Sequence, residues 1–251
     1  MLPVLATDGY EWRQLPIGAG GFVTGIVSSA DGSGLYVRTD VGGAYRFDRT
    51  RAAWQQLITA TSVPDPNPDG SDVTVDSIAV AATDARRVYA AIGSDYNPGA
   101  DGTINRTGRV LISDDGGSTW RTSGRRWFIS GNQRYRVGSE RLAVDPADPD
   151  HVLFGTSRDG LWQTTDAGAS WQQVPTDQVP TGQFADTSAD QVGVGTVAFV
   201  GTQLIAGVAG VGLFVSDTGA DWARVHDVDP EQYLAGAVDV DGVVWLAVDH
   251  S

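Results

Sequence analysis

The chain has 251 residues, among them 32 Gly, 11 Pro and no Cys, so disulfides and thiolate metal sites are excluded. No stretch reaches the roughly 18 consecutive apolar residues of a membrane-spanning helix. With 31 acidic against 17 basic residues the net charge is −14, which repels a phosphate backbone and argues against a nucleic-acid partner.

From the N-terminus, Met1–Ala6 lacks a basic stretch and is too short for a signal-peptide core, so no leader is read there. A short strand of the form Trp-x-x-Leu/Val then recurs, starting at Trp12, Trp54, Trp171 and Trp222, and Trp120 opens a looser copy. Successive spacings are 42, 66, 51 and 51 residues. A period of that length predicts a β-propeller, with one four-stranded blade per repeat.

Alternating β-branched runs supply the other strands. The first blade is predicted over Phe22–Val27, Leu35–Thr39, Ala44–Phe47 and Trp54–Leu57. The second takes Val75–Val80, Val88–Ile92, Arg109–Ser113 and Thr119–Thr122. The third takes Arg141–Val144, Val152–Thr156, Leu161–Thr164 and Ser170–Val174. The fourth takes Thr196–Val200, Gln203–Val208, Leu213–Ser216 and Asp221–Val225. A fifth begins with Ala235–Val240 and Val243–Val248. The predicted class is therefore all-β: one propeller of four-stranded antiparallel blades, incomplete at about four and a half. Blades fall at 20–57, 74–123, 138–174, 195–225 and, in part, 235–251, with an outer strand at 10–15. This pattern suggests the N-terminal part of a larger propeller protein. A self-closed ring of five blades is the alternative.

Turns resembling Asp boxes precede three of the tryptophans. Ser113–Trp120 and Thr164–Trp171 fit Ser/Thr-x-Asp-x-Gly-x-Ser/Thr-Trp, Val215–Trp222 is a weaker copy, and Asp48 marks a decayed one. In these turns Asp115, Asp166 and Asp217 are expected to accept backbone N–H bonds, and Gly117, Gly168 and Gly219 to take positive φ. Trp120, Trp171 and Trp222 are expected to pack between blades. A structural role is assigned to all nine.

A meander of this kind puts the Asp-box turns on one face and the loops 58–74, 94–107, 123–136 and 175–192 on the other. Long loops in a compact repeat are usually functional. They carry Tyr96, Trp127, Phe128 and Tyr135, whose rings could stack on sugars or pack their own loops. Asn132, Arg136 and Glu140 are polar candidates on the same side. Asp40 belongs to this face too, within Arg38-Thr39-Asp40-Val41-Gly42-Gly43-Ala44-Tyr45-Arg46, where Gly42-Gly43 permits a tight turn. Tyr45 and Arg46 join the binding candidates. For Asp40 itself, a turn-capping role competes with a chemical one.

Two segments, Gly18–Val27 and Tyr36–Arg46, resemble the first blade of glycoside hydrolase family 74, the xyloglucanases and related endo-β-1,4-glucanases. Gly138–Pro146, followed by Gly160-Leu161-Trp162 and an Asp box, resembles that family's next characteristic segment. The likeness covers roughly residues 10–174 and fades beyond. It implies two tandem seven-bladed propellers, an extracellular location, and hydrolysis of a β-1,4-glucan with inversion in a cleft between the propellers. Asp40 matches the family's general base. The general acid comes from the second propeller, so no residue here takes that role. The loop after Leu57 departs from the family, because it lacks the tryptophans that xyloglucanases tend to carry there. The implied partners are a polysaccharide and the C-terminal propeller.

No cofactor or metal is expected: His151, His226 and His250 are scattered, and no phosphate-loop motif occurs. A non-catalytic carbohydrate- or protein-binding propeller is the competing function. A sialidase is disfavoured by the absence of an early Arg-Ile-Pro segment.

Overall fold

The computed structural model describes residues 17–18, 20–59, 61–68, 70–95, 106–133, 136–182, 192–229, 232–238 and 244–250. The strand predicted at 10–15 lies outside them, as do Tyr96 and Tyr135.

Four antiparallel sheets of four strands follow one another along the chain, each a simple meander. The first holds β1 (Val23–Ser28), β2 (Leu35–Thr39), β3 (Ala44–Asp48) and β4 (Ala53–Gln56). The second holds β5 (Val75–Val80), β6 (Val88–Ile92), β7 (Arg109–Ser113) and β8 (Arg121–Thr122). The third holds β9 (Leu142–Val144), β10 (Val152–Gly155), β11 (Leu161–Thr164) and β12 (Gln172–Gln173). The fourth holds β13 (Val194–Val200), β14 (Gln203–Val208), β15 (Gly212–Ser216) and β16 (Ala223–Asp227). A pair, β17 (Gln232–Val238) and β18 (Val244–His250), follows and packs its first strand against β13. Among the described residues the only helical element is a 3-10 turn at Ser71–Val73.

The first strand of each sheet touches the first strand of the next, so the sheets are arrayed radially as propeller blades. Burial follows the sequence pattern. The uninterrupted apolar run of β6 is buried on both faces, whereas outer β16 (Ala223-Arg224-Val225-His226-Asp227) is exposed throughout. Ladder register slips in β1, β5 and β13, between Val23 and Gly25, Val75 and Ser77, and Val194 and Thr196. A bulge of this kind bends a strand and re-aims its side chains.

Three apolar clusters lie between neighbouring blades. Tyr36 and Leu57 of the first blade meet Ile78, Leu111 and Trp120 of the second. Tyr89 and Trp127 meet Phe154, Trp162 and Trp171. Leu153 and Leu161 meet Val197, Phe199 and Leu204, with Trp222 packed alongside. The tryptophans of the three Asp-box-like turns, Trp120, Trp171 and Trp222, therefore sit between blades. Trp120 and Trp171 precede their strands rather than opening them, because the ring is turned inward before the ladder begins.

Candidate active site

Asp40 leaves the end of β2 at a tight turn held by its neighbours. The Thr39 hydroxyl accepts the Gly42 amide at 2.8 Å and donates to the Gly43 carbonyl at 2.8 Å. Gly43 has φ of 85°, and a side chain there would strike the Ile58 carbonyl. Thr39, not Asp40, caps this turn.

The Asp40 carboxylate instead reaches toward the start of β1. Its Oδ1 accepts the Phe22 amide at 2.7 Å, and its Oδ2 lies 3.2 Å from Arg136 Nε. Only 7% of the residue is exposed. The repeats supply a control. The Asp40 amide bonds the Phe22 carbonyl, just as Gly93 bonds Thr74 and Ala209 bonds Gly193 in the second and fourth blades. The same backbone slot is thus filled by Gly or Ala elsewhere, and the architecture does not require a carboxylate there.

Beneath Asp40 lies a buried ionic frame. Arg38, on β2, is 1% exposed; its Nε donates to Glu140 Oε1 at 2.6 Å. Its Nη1 donates to Thr24 Oγ1 and to the Arg136 carbonyl, and its Nη2 to the Ser139 carbonyl. Glu140 Oε2 accepts the Ser77 hydroxyl at 2.7 Å and the Ile78 amide at 2.8 Å. Arg141 pairs with Asp76 at 3.2 Å and donates to the Val192 and Val194 carbonyls. Burial pushes the Asp76 carboxyl up, against the pull of Arg141 and Arg38. The frame joins the first four blades near their inner strands and holds the backbone of the segment carrying Arg136.

The structure brings together Asp40, Arg136 and Glu140, but it separates other candidates from them. Trp127 is fully buried, edge-on to Phe154, Trp162 and Trp171. Its ring faces are occupied by core, which corrects the expectation of a sugar platform; Phe128 is buried as well. Tyr45 is buried with its hydroxyl donating to the Gly42 carbonyl at 2.6 Å, and burial raises its pKa. It supports the turn rather than facing solvent. Arg46 reaches Gly116 on the opposite face, donating at 3.1 Å. There it lines a groove of about 380 Å³ with Tyr36, Phe47, Arg49 and Arg86. Asn132 is half-buried in the Ser130–Gln133 turn on the Asp40 side.

On the turn face the two full copies share one bonding pattern. Asp115 Oδ1 accepts the Thr119 amide and the Ser113 hydroxyl, and Oδ2 the Thr119 hydroxyl. Asp166 does the same with Ser170 and Thr164. Gly117, Gly168 and Gly219 have φ of 89°, 78° and 76°. For Asp115, burial raises the pKa but the Thr119 and Ser113 bonds outweigh it. For Asp166 the Ser170 hydroxyl leads, and the pKa falls to about 2. The third copy differs because Val215 has no hydroxyl and Asp221 has no proton to donate. Ser216 takes over the bond to Gly219, and Asp217 accepts Gln203 instead.

Several residues on the Asp40 side carried no sequence signal. Asp72 pairs with Arg109 at 2.8 Å, both 1% exposed, and anchors loop 58–74. Asp95 gathers Thr107, Gly108 and Ile129. Asp159 ties Arg106 to the Phe128 amide. Phe22, the start of a predicted strand within the Gly18–Val27 likeness, carries no site expectation from sequence, yet its amide bonds Asp40 and its side chain is exposed.

The chain is similar to known proteins along its full length. It is 34% identical over 271 residues to a xyloglucanase from Paenibacillus sp, covering 100% of this chain and 26% of that protein. A xyloglucanase from Hypocrea jecorina is 32% identical over 230 residues, covering 88% and 26%. Among solved structures, the GH74 xyloglucanase from Xanthomonas campestris superposes with a TM-score of 0.77 at 30% identity. That match covers 95% of this chain and 35% of the other. The chain spans about a quarter of the length of the curated relatives it matches. The motif likeness fades after Val174, but the alignment to the Paenibacillus protein continues to the end of the chain. No protein-family model matches.

Proposed function

Because the chain belongs, over the stretch it spans, to glycoside hydrolase family 74, we propose that it is the base-bearing part of an inverting hydrolase acting on xyloglucan. Asp40 is the general base in this reading. It accepts a proton from water as that water attacks the anomeric carbon. An acid on the opposite side of the sugar protonates the departing oxygen, and it belongs to the second propeller. Inversion needs the two carboxyls about 6.5–9.5 Å apart, with the water between them. A polymeric substrate would be met outside the cell, so the reading includes secretion.

One observation carries the assignment. A carboxylate occupies a backbone slot that Gly93 and Ala209 fill in equivalent blades, and it is held in one orientation by Phe22 and Arg136. The substrate class follows from the relatives, which are named xyloglucanases.

The test is hydrolysis of xyloglucan by the full-length protein, with the anomeric form of the first product read by NMR. Asp40→Ala is expected to lose about 10²–10⁴ in rate, the range of a positioned acid or base. Unchanged turnover in that variant would reject Asp40 as the base. Binding of glucan oligosaccharides without turnover in wild type would favour a non-catalytic propeller.

A further inference from the structure

We propose that Phe22 is a stacking platform for a glucose unit of the bound chain, adjoining the bond that Asp40 acts on. This rests on the function proposed above and adds a binding residue to it. Phe22 is 57% exposed, whereas Tyr36, Tyr45, Trp127 and Phe128 are buried. Of the expected platforms Trp127 is buried and Tyr96 and Tyr135 lie outside the described residues; among the described residues this ring is an exposed aromatic surface beside the carboxylate.

Its position is fixed by backbone. The Phe22 amide donates to Asp40 Oδ1 at 2.7 Å, and the Asp40 amide returns a bond to the Phe22 carbonyl at 3.2 Å. The ring's root therefore cannot drift from the carboxylate. On one side Gly21 packs its backbone over Asp40: a Cβ on Gly21 would lie 3.0 Å from Oδ1. No side chain there shields the ring. On the other side the Arg136 guanidinium sits 5.9 Å from the ring centre while touching Asp40. Val41, 46% exposed, follows Asp40, and Val137, 53% exposed, follows Arg136.

An exposed apolar ring beside an ion pair matches the two-sided chemistry of a pyranose. Its C–H face can cover Phe22, where offset contact with an aromatic ring is favourable. Its equatorial hydroxyls can meet Arg136 and Asp40. Neither a peptide nor a lipid tail is called for by a patch so small and so closely bordered by charge.

The experiment is steady-state hydrolysis of xyloglucan oligosaccharides by the full-length protein and three variants, with Tm recorded for each. Phe22→Ala is expected to raise KM about tenfold and to leave kcat within about twofold, because the amide that holds Asp40 remains. Phe22→Tyr should restore wild-type KM. Phe22→Leu, which keeps apolar bulk without a ring face, should fall between. An unchanged KM in Phe22→Ala with normal wild-type activity overturns the platform alone. A lowered Tm with unchanged KM also overturns it, since another part of the protein or a second copy then covers the ring. If Phe22→Ala does not fold, equal KM for the Tyr and Leu variants overturns it. Absence of both turnover and oligosaccharide binding in wild type overturns the functional reading, and the platform with it.

Discussion

The two faces of these blades are built by different rules. On the turn face, the Asp and Ser/Thr side chains of Ser113–Trp120 and Thr164–Trp171 close their hydrogen bonds over two to four residues. On the Asp40 face, Arg38 bonds Glu140 across 102 residues and the Arg136 carbonyl across 98, and Ser77 bonds Glu140 across 63. A carboxylate satisfied within its own turn does not depend on a particular partner in another blade, so the pattern can recur from blade to blade. A frame closed across blades depends on particular residues of several blades at once, so it does not repeat with the blade. The repeat thus supplies a scaffold, and the proposed site sits where the repeat is broken.

The sharpest way to break this contrast is Glu140→Ala. It leaves Arg38 buried without its carboxylate and removes the acceptor of the Ser77 hydroxyl and Ile78 amide. Losing one partner of a buried pair costs about 3–5 kcal/mol. Glu140 is a quarter exposed, which argues for the lower end, about 3 kcal/mol. Urea denaturation measures it. A loss no greater than that of a single turn bond would mean that the cross-blade frame is no more important than the turns.

Arg136→Met comes next and separates activity from stability. It removes the cation 3.2 Å from Asp40 while keeping the aliphatic stem. Under the proposed function, kcat should fall about tenfold, about 1.4 kcal/mol in barrier. The Tm should change little, because the Arg136 carbonyl that Arg38 grips is backbone. A large Tm loss at unchanged kcat would make Arg136 part of the frame rather than of the site.

The same contrast explains what could be read from sequence. Strands and turns were legible because alternation and the Ser/Thr-x-Asp-x-Gly pattern are local. Asp40 could be singled out as a candidate because its segment is contiguous. Trp127 was misread because a loop aromatic gives no sign that Phe154, Trp162 and Trp171 enclose it. Arg46 was placed with Asp40 by proximity in sequence, but it lies far enough along β3 to reach the opposite face. Phe22, Asp72 and Asp95 were passed over because their partners are 18, 37 and 12 or more residues away, with no spacing rule linking them.

On the turn face a smaller effect is expected from Ser170→Ala. It removes the hydroxyl that donates to Asp166 Oδ2 but leaves the Ser170 amide bond to Oδ1. A single hydrogen bond contributes about 1 kcal/mol, and this one is exposed, so the loss should be at most that. The third copy already lacks the equivalent donor at Asp221. The fourth blade keeps its turn regardless, with Ser216 bonded to Gly219. A loss of several kcal/mol would show that the turns are as cooperative as the frame.

The smallest effect is the pH response of that same turn. The folded Asp166 has its pKa lowered to about 2 from 3.8, led by the Ser170 hydroxyl and then by the Ser170 amide. A carboxyl depressed by folding stabilises the fold above its unfolded pKa, and this stabilisation fades as pH falls through the folded value. The window is therefore from about pH 4 down to about 2. Solvent screens so exposed a group, which leaves little of the shift as global stability. The measurement is a carboxyl NMR titration of Asp166, not a melting curve. In Ser170→Ala the midpoint should move up toward 3.8, because the leading donor is gone while the amide remains. An unmoved midpoint would mean that the field on Asp166 comes from beyond its own eight-residue turn, and the carboxylate would then cease to be the locally satisfied group that distinguishes this face from the other.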